Sequence, residues 1–272
     1  MTSLYLYTIH LADNALVLAQ RNSEWCGHGP VLEQDIALTN ISLDLLGQAR
    51  NFYQYAASLY NGAGEDEKAA LDLYIPHPWK GFGRALKEDD LAFLREERQF
   101  LNLLLAELPK GDWGKTILRQ FFCSAFQFLA YSALQSSKDA QLAAIAEKSL
   151  KEVTYHLRWS GEWVIRLGDG TEESHRRMLA ALEELWPFTG ELFLPAAYER
   201  EAAEEGLGVN GETLRNAWLQ QVEEVLTAAT LPLLPPTGWM QRGGKLGRHT
   251  EHLGYLLAEM QYLQRAYPDS NW

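Results

Sequence analysis

The sequence contains few cysteines and no cysteine motif. Its 272 residues include two cysteines, Cys26 and Cys123, and these form no CxxC pair. A disulfide framework or a paired-cysteine redox site therefore has no basis in the sequence. Isolated thiols are typical of proteins in a reducing compartment, so we expect two ordinary thiols in the cytosol.

Basic runs and long apolar runs are also missing. The chain has 24 Lys and Arg against 36 Asp and Glu, a net charge of −12. This balance argues against nucleic-acid binding and against attraction to an anionic membrane. The most apolar stretch, "FFCSAFQFLAYSAL", is shorter than the roughly 20 residues of a membrane helix. The N-terminal "MTSLYLYTIHLADNA" lacks the features of a signal peptide. We expect a cytoplasmic protein.

The periodicity of apolar residues is helical throughout, which predicts an all-α protein. We expect a single domain over residues 1–272, with a ferritin-like four-helix bundle built from the second to fifth helices and additional flanking helices. Residues 61–90 are rich in glycine, proline and charge and predict an irregular insertion. The predicted helices cover about 4–20, 31–60, 90–107, 113–135, 140–167, 171–186, 212–231 and 249–266.

Several polar residues fall on the apolar faces of predicted bundle helices. Glu97 follows the spacing of the leucines in the third helix, and Glu152 and His156 lie on the apolar stripe of the fifth. Asp44 belongs to a polar stripe on the second helix. Buried carboxylates on several bundle helices are typical of a di-metal site, because two cations need several anionic ligands.

The histidines required for such a site are out of place. A bundle di-iron site uses Glu-x-x-His on two helices, but Phe100 follows Glu97 and Tyr155 follows Glu152 at that spacing. His156 comes one residue late, which rotates it by about 100° on the helix. We therefore predict no catalytic residue and no metal site. Asp44, Glu97, Glu152 and His156 are interpreted as vestigial positions, paired with one another and with Arg119 or Arg158. A nonstandard metal site remains open.

The stretch "GGKLGRHTEH", residues 243–252, is the only glycine-rich basic stretch that opens a predicted helix. Lys245 and Arg248 could hold a phosphate or carboxylate there, but a loop docked on a neighbouring surface is the favoured interpretation. The last helix has one apolar stripe for its own core: His249, Leu253, Leu256, Met260 and Leu263. Its other side suits a protein interface. The predicted partner-binding residues are Lys245, Arg248, His252, Tyr255, Glu259 and Tyr262.

Long blocks of the sequence resemble the C-subunit family of the bacterial phenylacetyl-CoA epoxidases. The matching blocks are "LADNALVLAQRNSEWCGHGPVLEQDIALTNISLDLLGQARNF", "REERQFLNLLL", "KEVTYHLRWS", "RLGDGT" and "GGKLGRHTEHLGYLLAEMQYLQR". They extend from the first predicted helix to the last, so the resemblance covers nearly the whole chain. Residues 61–90 match less well.

The resemblance implies a ferritin-like bundle without the metal-binding residues of the catalytic subunit. It implies a noncatalytic structural subunit that pairs with a catalytic di-iron A subunit, a small B subunit and a reductase carrying FAD and an iron–sulfur cluster. Such a complex epoxidises the ring of phenylacetyl-CoA with oxygen and NADPH. No cofactor is expected in this chain. Two alternatives stay open: an active di-iron oxidase with an unusual ligand set, and a self-assembling bundle with no catalytic partner.

Overall fold

The computed structural model describes residues 1–235 and 238–270. The secondary structure of this part of the chain is helical, and it contains no strand. The α-helices are α1 Thr2–Ser23, α2 Leu32–Gly62, α3 Glu65–Leu71, α4 Glu88–Phe93, α5 Leu104–Glu107, α6 Trp113–Leu134, α7 Ala140–Gly168, α8 Glu172–Leu185, α9 Ala197–Glu204, α10 Arg215–Ala228, α11 Glu251–Met260 and α12 Tyr262–Ala266. No helix among these residues has both the length and the apolar content needed to cross a bilayer.

Four long helices, α1, α2, α6 and α7, form the bundle. The first two pack along each other, as do the last two, and α2 also packs on α7. Short connections join α1 to α2 and α6 to α7, whereas residues 63–112 form a long crossover between α2 and α6. One long crossover of this kind is typical of ferritin-like bundles, so the predicted fold class is confirmed. The predicted choice of the four bundle helices is wrong. The first helix, α1, belongs to the bundle, and the third predicted helix does not.

The first helix is central because it carries apolar residues on nearly all sides. Tyr5, Ile9 and Val17 have no exposed surface, and polar residues such as Thr8 and Asp13 are equally buried. A helix that is apolar all round belongs in a core rather than on a surface. Crossover helix α5 and helix α9 cover the sides of α1 that do not face α2.

The predicted helix at 90–107 is absent, except for short helices at its two ends. Between them lie the 3₁₀ turn Glu97–Gln99 and a non-helical stretch, residues 100–103, which polar side chains of α1 contact. The backbone N–H of Leu101 donates to Asp13 at 2.7 Å, and that of Leu103 donates to Asn14 at 2.7 Å. His10 donates from Nδ1 to the Leu101 carbonyl at 2.7 Å. These bonds satisfy the backbone without a helix, so tertiary contacts override the local helical pattern.

Other helix boundaries follow local sequence signals. The hydroxyl of Thr171 accepts from the N–H of Ser174 and caps α8, as expected for a threonine at this position. The helix ends just before Pro187. The predicted last helix is two shorter helices. The first, α11, starts after a Thr250 cap, and the helix is interrupted at Gln261, after which α12 begins. The 61–90 region, predicted as an irregular insertion, consists of the last two residues of α2, then α3, two 3₁₀ turns, loops and the start of α4.

Candidate functional site

Two side-chain pairs join α2 to α7 at the place where the sequence suggested a former metal site. The Nε2 of His156 lies 2.9 Å from Oδ2 of Asp44. One turn along both helices, the Gln48 amide donates to Glu152 Oε2 at 2.9 Å. The His156 ring is fully buried, whereas the Asp44 side chain is 38% exposed. Three of the four predicted vestigial positions, together with Gln48, therefore form a cluster that we call the α2–α7 cluster.

The α2–α7 cluster does not fit a di-iron centre. Such a centre uses four carboxylates and two histidines from four helices, whereas the cluster offers two carboxylates and one histidine from two helices. Gln48 carries a neutral amide, and its NH₂ group is directed at Glu152. Within residues 1–235 and 238–270, no three His, Cys, Asp or Glu side chains lie close enough to hold a metal ion.

Glu97 and the two arginines differ from their predicted positions. Glu97 is exposed, in a 3₁₀ turn beside α11, so the prediction that it faces the bundle core is wrong. Its helical stripe does not exist, because α4 ends at Phe93 and residues 94–103 form only the 3₁₀ turn Glu97–Gln99 and non-helical backbone. Arg119 is buried elsewhere and donates to the Leu108 carbonyl at 2.5 Å. Arg158 is exposed, with its guanidinium 5.8 Å from the centre of the Tyr155 ring. Neither arginine therefore balances the charge of Glu152.

The glycine-rich loop at 243–247 docks on the crossover segment, as the favoured interpretation expects. A Cβ added to Gly244 would collide with the Asn102 carbonyl oxygen, and one added to Gly247 would collide with that of Arg98. Glycine is required where two backbones approach this closely. Lys245, predicted to bind a partner or an anion, is instead 3% exposed, and its Nζ lies 2.9 Å from Glu199. Its ammonium is therefore not on the surface offered to a partner.

The other predicted partner-binding residues lie on the surface around α11 and α12. Tyr255 is 74% exposed and Tyr262 is 70% exposed, while Glu259 and Arg248 are also exposed and His252 is half-buried. We call His252, Tyr255, Glu259 and Tyr262 the tyrosine strip. Leu253 and Leu256 face the core as predicted, but Leu263 is 43% exposed and does not. Partner binding by the tyrosine strip stays a prediction.

A second surface escaped the sequence analysis. On α2, three large aliphatic side chains point to solvent: Leu32 at 71% exposure, Ile36 at 51% and Leu43 at 60%. Their separations of four and seven residues place them on one helical face, which we call the α2 stripe. The signal was available, because a helix with apolar residues on two faces has a second surface to cover. Large apolar side chains exposed on one helical face are typical of interaction sites.

Comparisons with known proteins agree with this architecture. The protein family described as phenylacetic acid catabolic protein matches residues 1–272. The C subunit of the 1,2-phenylacetyl-CoA epoxidase of Escherichia coli (strain K12) is 48% identical over 272 residues, which cover 100% of this chain and 100% of that protein. A match over the whole chain, on a helical bundle, establishes kinship. The chain belongs to the phenylacetic acid catabolic protein family.

Proposed function

We propose that this chain is a noncatalytic structural subunit of a phenylacetyl-CoA ring epoxidase and that it works in aerobic phenylacetate degradation. It would pair with a catalytic di-iron A subunit, in a cytoplasmic complex with a small B subunit and a reductase carrying FAD and an iron–sulfur cluster. The relative named as the C subunit of such an epoxidase supports the assignment to a complex. No cofactor is assigned to this chain.

The chemistry of the α2–α7 cluster carries the noncatalytic part of the proposal. Asp44 is hydrogen-bonded to His156, and Glu152 to an amide of Gln48. Each carboxylate thus has a partner within the protein, and their number is half that of a bundle di-iron centre. Tyr155, the residue at the position of a motif histidine, is 39% exposed and lies outside the cluster.

One atom favours the alternative, an active oxidase with an unusual ligand set. The Nδ1 of His156 is buried and has no hydrogen-bond partner among the described residues. An unpaired imidazole nitrogen in the core is a potential metal ligand. Because Nε2 contacts Asp44, a metal at Nδ1 would need further ligands, and the described side chains form no group of three that could supply them.

Iron analysis of the purified chain tests the noncatalytic assignment. After anaerobic reconstitution with ferrous iron, we expect far less than one iron per chain, because the donor set is incomplete. Tyr155→His is expected to bind no more iron, since its side chain lies at the surface and Phe100 leaves the second motif without histidine. The co-expressed catalytic subunit serves as the positive control. About two irons per chain, the content of a bundle di-iron centre, would contradict the noncatalytic assignment.

The α2 stripe is the surface that we propose for pairing with another subunit of the complex. Leu32→Asp/Leu43→Asp is expected to reduce affinity for the co-purified subunits at least about tenfold, since it places two charges in an apolar contact. Tyr255→Ala/Tyr262→Ala tests the tyrosine strip in the same pull-down. Leu73→Asp is the matched control, because Leu73 is 72% exposed but lies in the crossover.

Sedimentation of the isolated chain separates pairing from self-association. We expect the wild type and the α2-stripe variant to sediment alike. A wild-type homodimer that becomes monomeric in Leu32→Asp/Leu43→Asp would assign the α2 stripe to a second copy of this chain. Full assembly of the variant with its partner subunits would show that the stripe lies outside the interface.

A further inference from the structure

An arginine-lined cavity opens between α9 and the 242–248 loop. Its volume is about 440 Å³, and three arginines, Arg200, Arg242 and Arg248, are among the residues that line it. Leu194 and Leu246 supply apolar wall. Pockets of a few hundred cubic ångströms are the size used for small ligands. The clustering is notable in a chain whose net charge is −12.

The glycine loop builds this cavity by bringing two arginines together. The N–H of Arg248 donates to the Gly243 carbonyl at 3.0 Å, which closes the loop on itself. Gly243 has φ +140° and Gly247 has φ +70°, conformations that favour glycine. Arg242 and Arg248 therefore stand at the two ends of a closed turn. Arg200 approaches from α9, where its NH1 donates to the Pro195 carbonyl at 2.5 Å.

Charges in and under the cavity leave it positive. Glu191 lines it, but one carboxylate oxygen accepts from the Gly243 N–H at 2.6 Å and the other from the Leu104 N–H at 2.9 Å. Lys245 also lines it, and its ammonium is neutralised by buried Glu199. Among the described residues, Arg242 and Arg248 form no ion pair with any carboxylate. Three guanidinium charges against one buried carboxylate give a net positive site.

We propose that this cavity is an anion site for the phosphate group of a small molecule, held by Arg200, Arg242 and Arg248. Guanidinium groups bind phosphate oxygens through two parallel hydrogen bonds, so a few converging arginines form a specific receptor. A concave site lined by loop and helix favours a small ligand over a flat protein surface. The cavity binds phosphate whether or not the chain pairs with another subunit.

Calorimetric titration of the full chain with inorganic pyrophosphate tests the site. Arg242→Ala/Arg248→Ala is expected to weaken binding by at least about tenfold. Arg166→Ala/Arg176→Ala removes the same charge from exposed positions outside the cavity and is expected to bind as the wild type does. Arg200→Gln gives an independent variant on a different element. Thermal unfolding of each variant confirms that it is folded.

Three results would overturn the proposal. One is the absence of any heat of binding to the wild type at about 1 mM pyrophosphate. A second is equal weakening in the cavity variant and in the charge-matched control, which would mean unspecific attraction. The third is tighter, arginine-dependent binding of a short poly-glutamate peptide than of pyrophosphate, which would assign the arginines to a protein partner.

Discussion

Replacing Asp13 with alanine is expected to lower the free energy of unfolding by about 3–5 kcal/mol, because it strands a buried arginine. Asp13 and Arg95 form an ion pair in which both side chains have no exposed surface. Oδ2 of Asp13 also accepts from the N–H of Leu101, and Oδ1 accepts from the Tyr53 hydroxyl at 2.5 Å. All of these donors would lose a partner at once.

Arg95 magnifies the effect because it ties the crossover together. Its Nε donates to the Leu91 carbonyl at 2.6 Å and NH1 to the Gln99 carbonyl at 2.7 Å. The guanidinium also lies 4.2 Å from the centre of the Phe100 ring. Without Asp13, this buried charge keeps its carbonyl partners but has no anion, which is costly.

Urea denaturation measures the change, with Asp169→Ala as the matched control. Asp169 is exposed at the end of α7, so its replacement should cost within about 0.5 kcal/mol. Asp13→Ala/Arg95→Leu should be less destabilised than the sum of the two single variants, because neither charge is left alone. A loss below about 1 kcal/mol in Asp13→Ala would mean that the pair is not desolvated.

The second large effect is expected at Glu107, with a loss of about 3–5 kcal/mol at low pH in Glu107→Ala. Its carboxylate lies 2.7 Å from Nδ1 of His249, and Nε2 of that ring lies 2.9 Å from the Phe100 carbonyl. Both ring nitrogens face acceptors, so the arrangement favours the doubly protonated imidazolium. The same carboxylate accepts from the N–H of Thr250 at 2.6 Å and from Asn102 at 2.8 Å.

The destabilisation should depend on pH. Burial lowers the pKa of His249, but the hydrogen bond and charge of Glu107 outweigh it and raise the pKa above the ordinary 6.5. A raised pKa stabilises the folded state fully below 6.5, and this contribution is lost as pH rises through the raised value. The cost of Glu107→Ala should therefore be largest near about pH 6 and smaller near about pH 9.

Comparison of variants isolates this contribution from that of His10. Burial lowers the pKa of His10, whose Nδ1–H is held by the Leu101 carbonyl, so its contribution is lost as pH falls below the ordinary 6.5. The difference between the wild type and Glu107→Ala cancels this opposite trend. Exposed Glu183→Ala is the control. A difference independent of pH would contradict a charged His249.

Local pattern alone determined the long helices and their ends. The stripe of Leu38, Ile41 and Leu45 predicts α2, and the periodicity of α6 and α7 predicts their bounds within two residues. Apolar spacing is a property of neighbours along the chain, so it can be read without the fold. Likewise, the sequence indicated an incomplete metal motif. Tyr155 occupies the position three residues after Glu152 that requires a histidine, and His156 follows one residue later.

Only the tertiary structure decided which polar groups meet. Residues 100–103 are non-helical because Asp13 and Asn14 of α1 accept from the N–H groups of Leu101 and Leu103, and no local pattern contains that contact. Lys245 is buried because Glu199 of α9 neutralises it, and the arginine cavity joins residue 200 to residues 242–248. Hydrogen bonds and ion pairs of this kind depend on distances between elements far apart in the chain. The sequence therefore determined the long helices of the bundle, whereas packing decided the course of residues 94–103 and which charged groups form pairs.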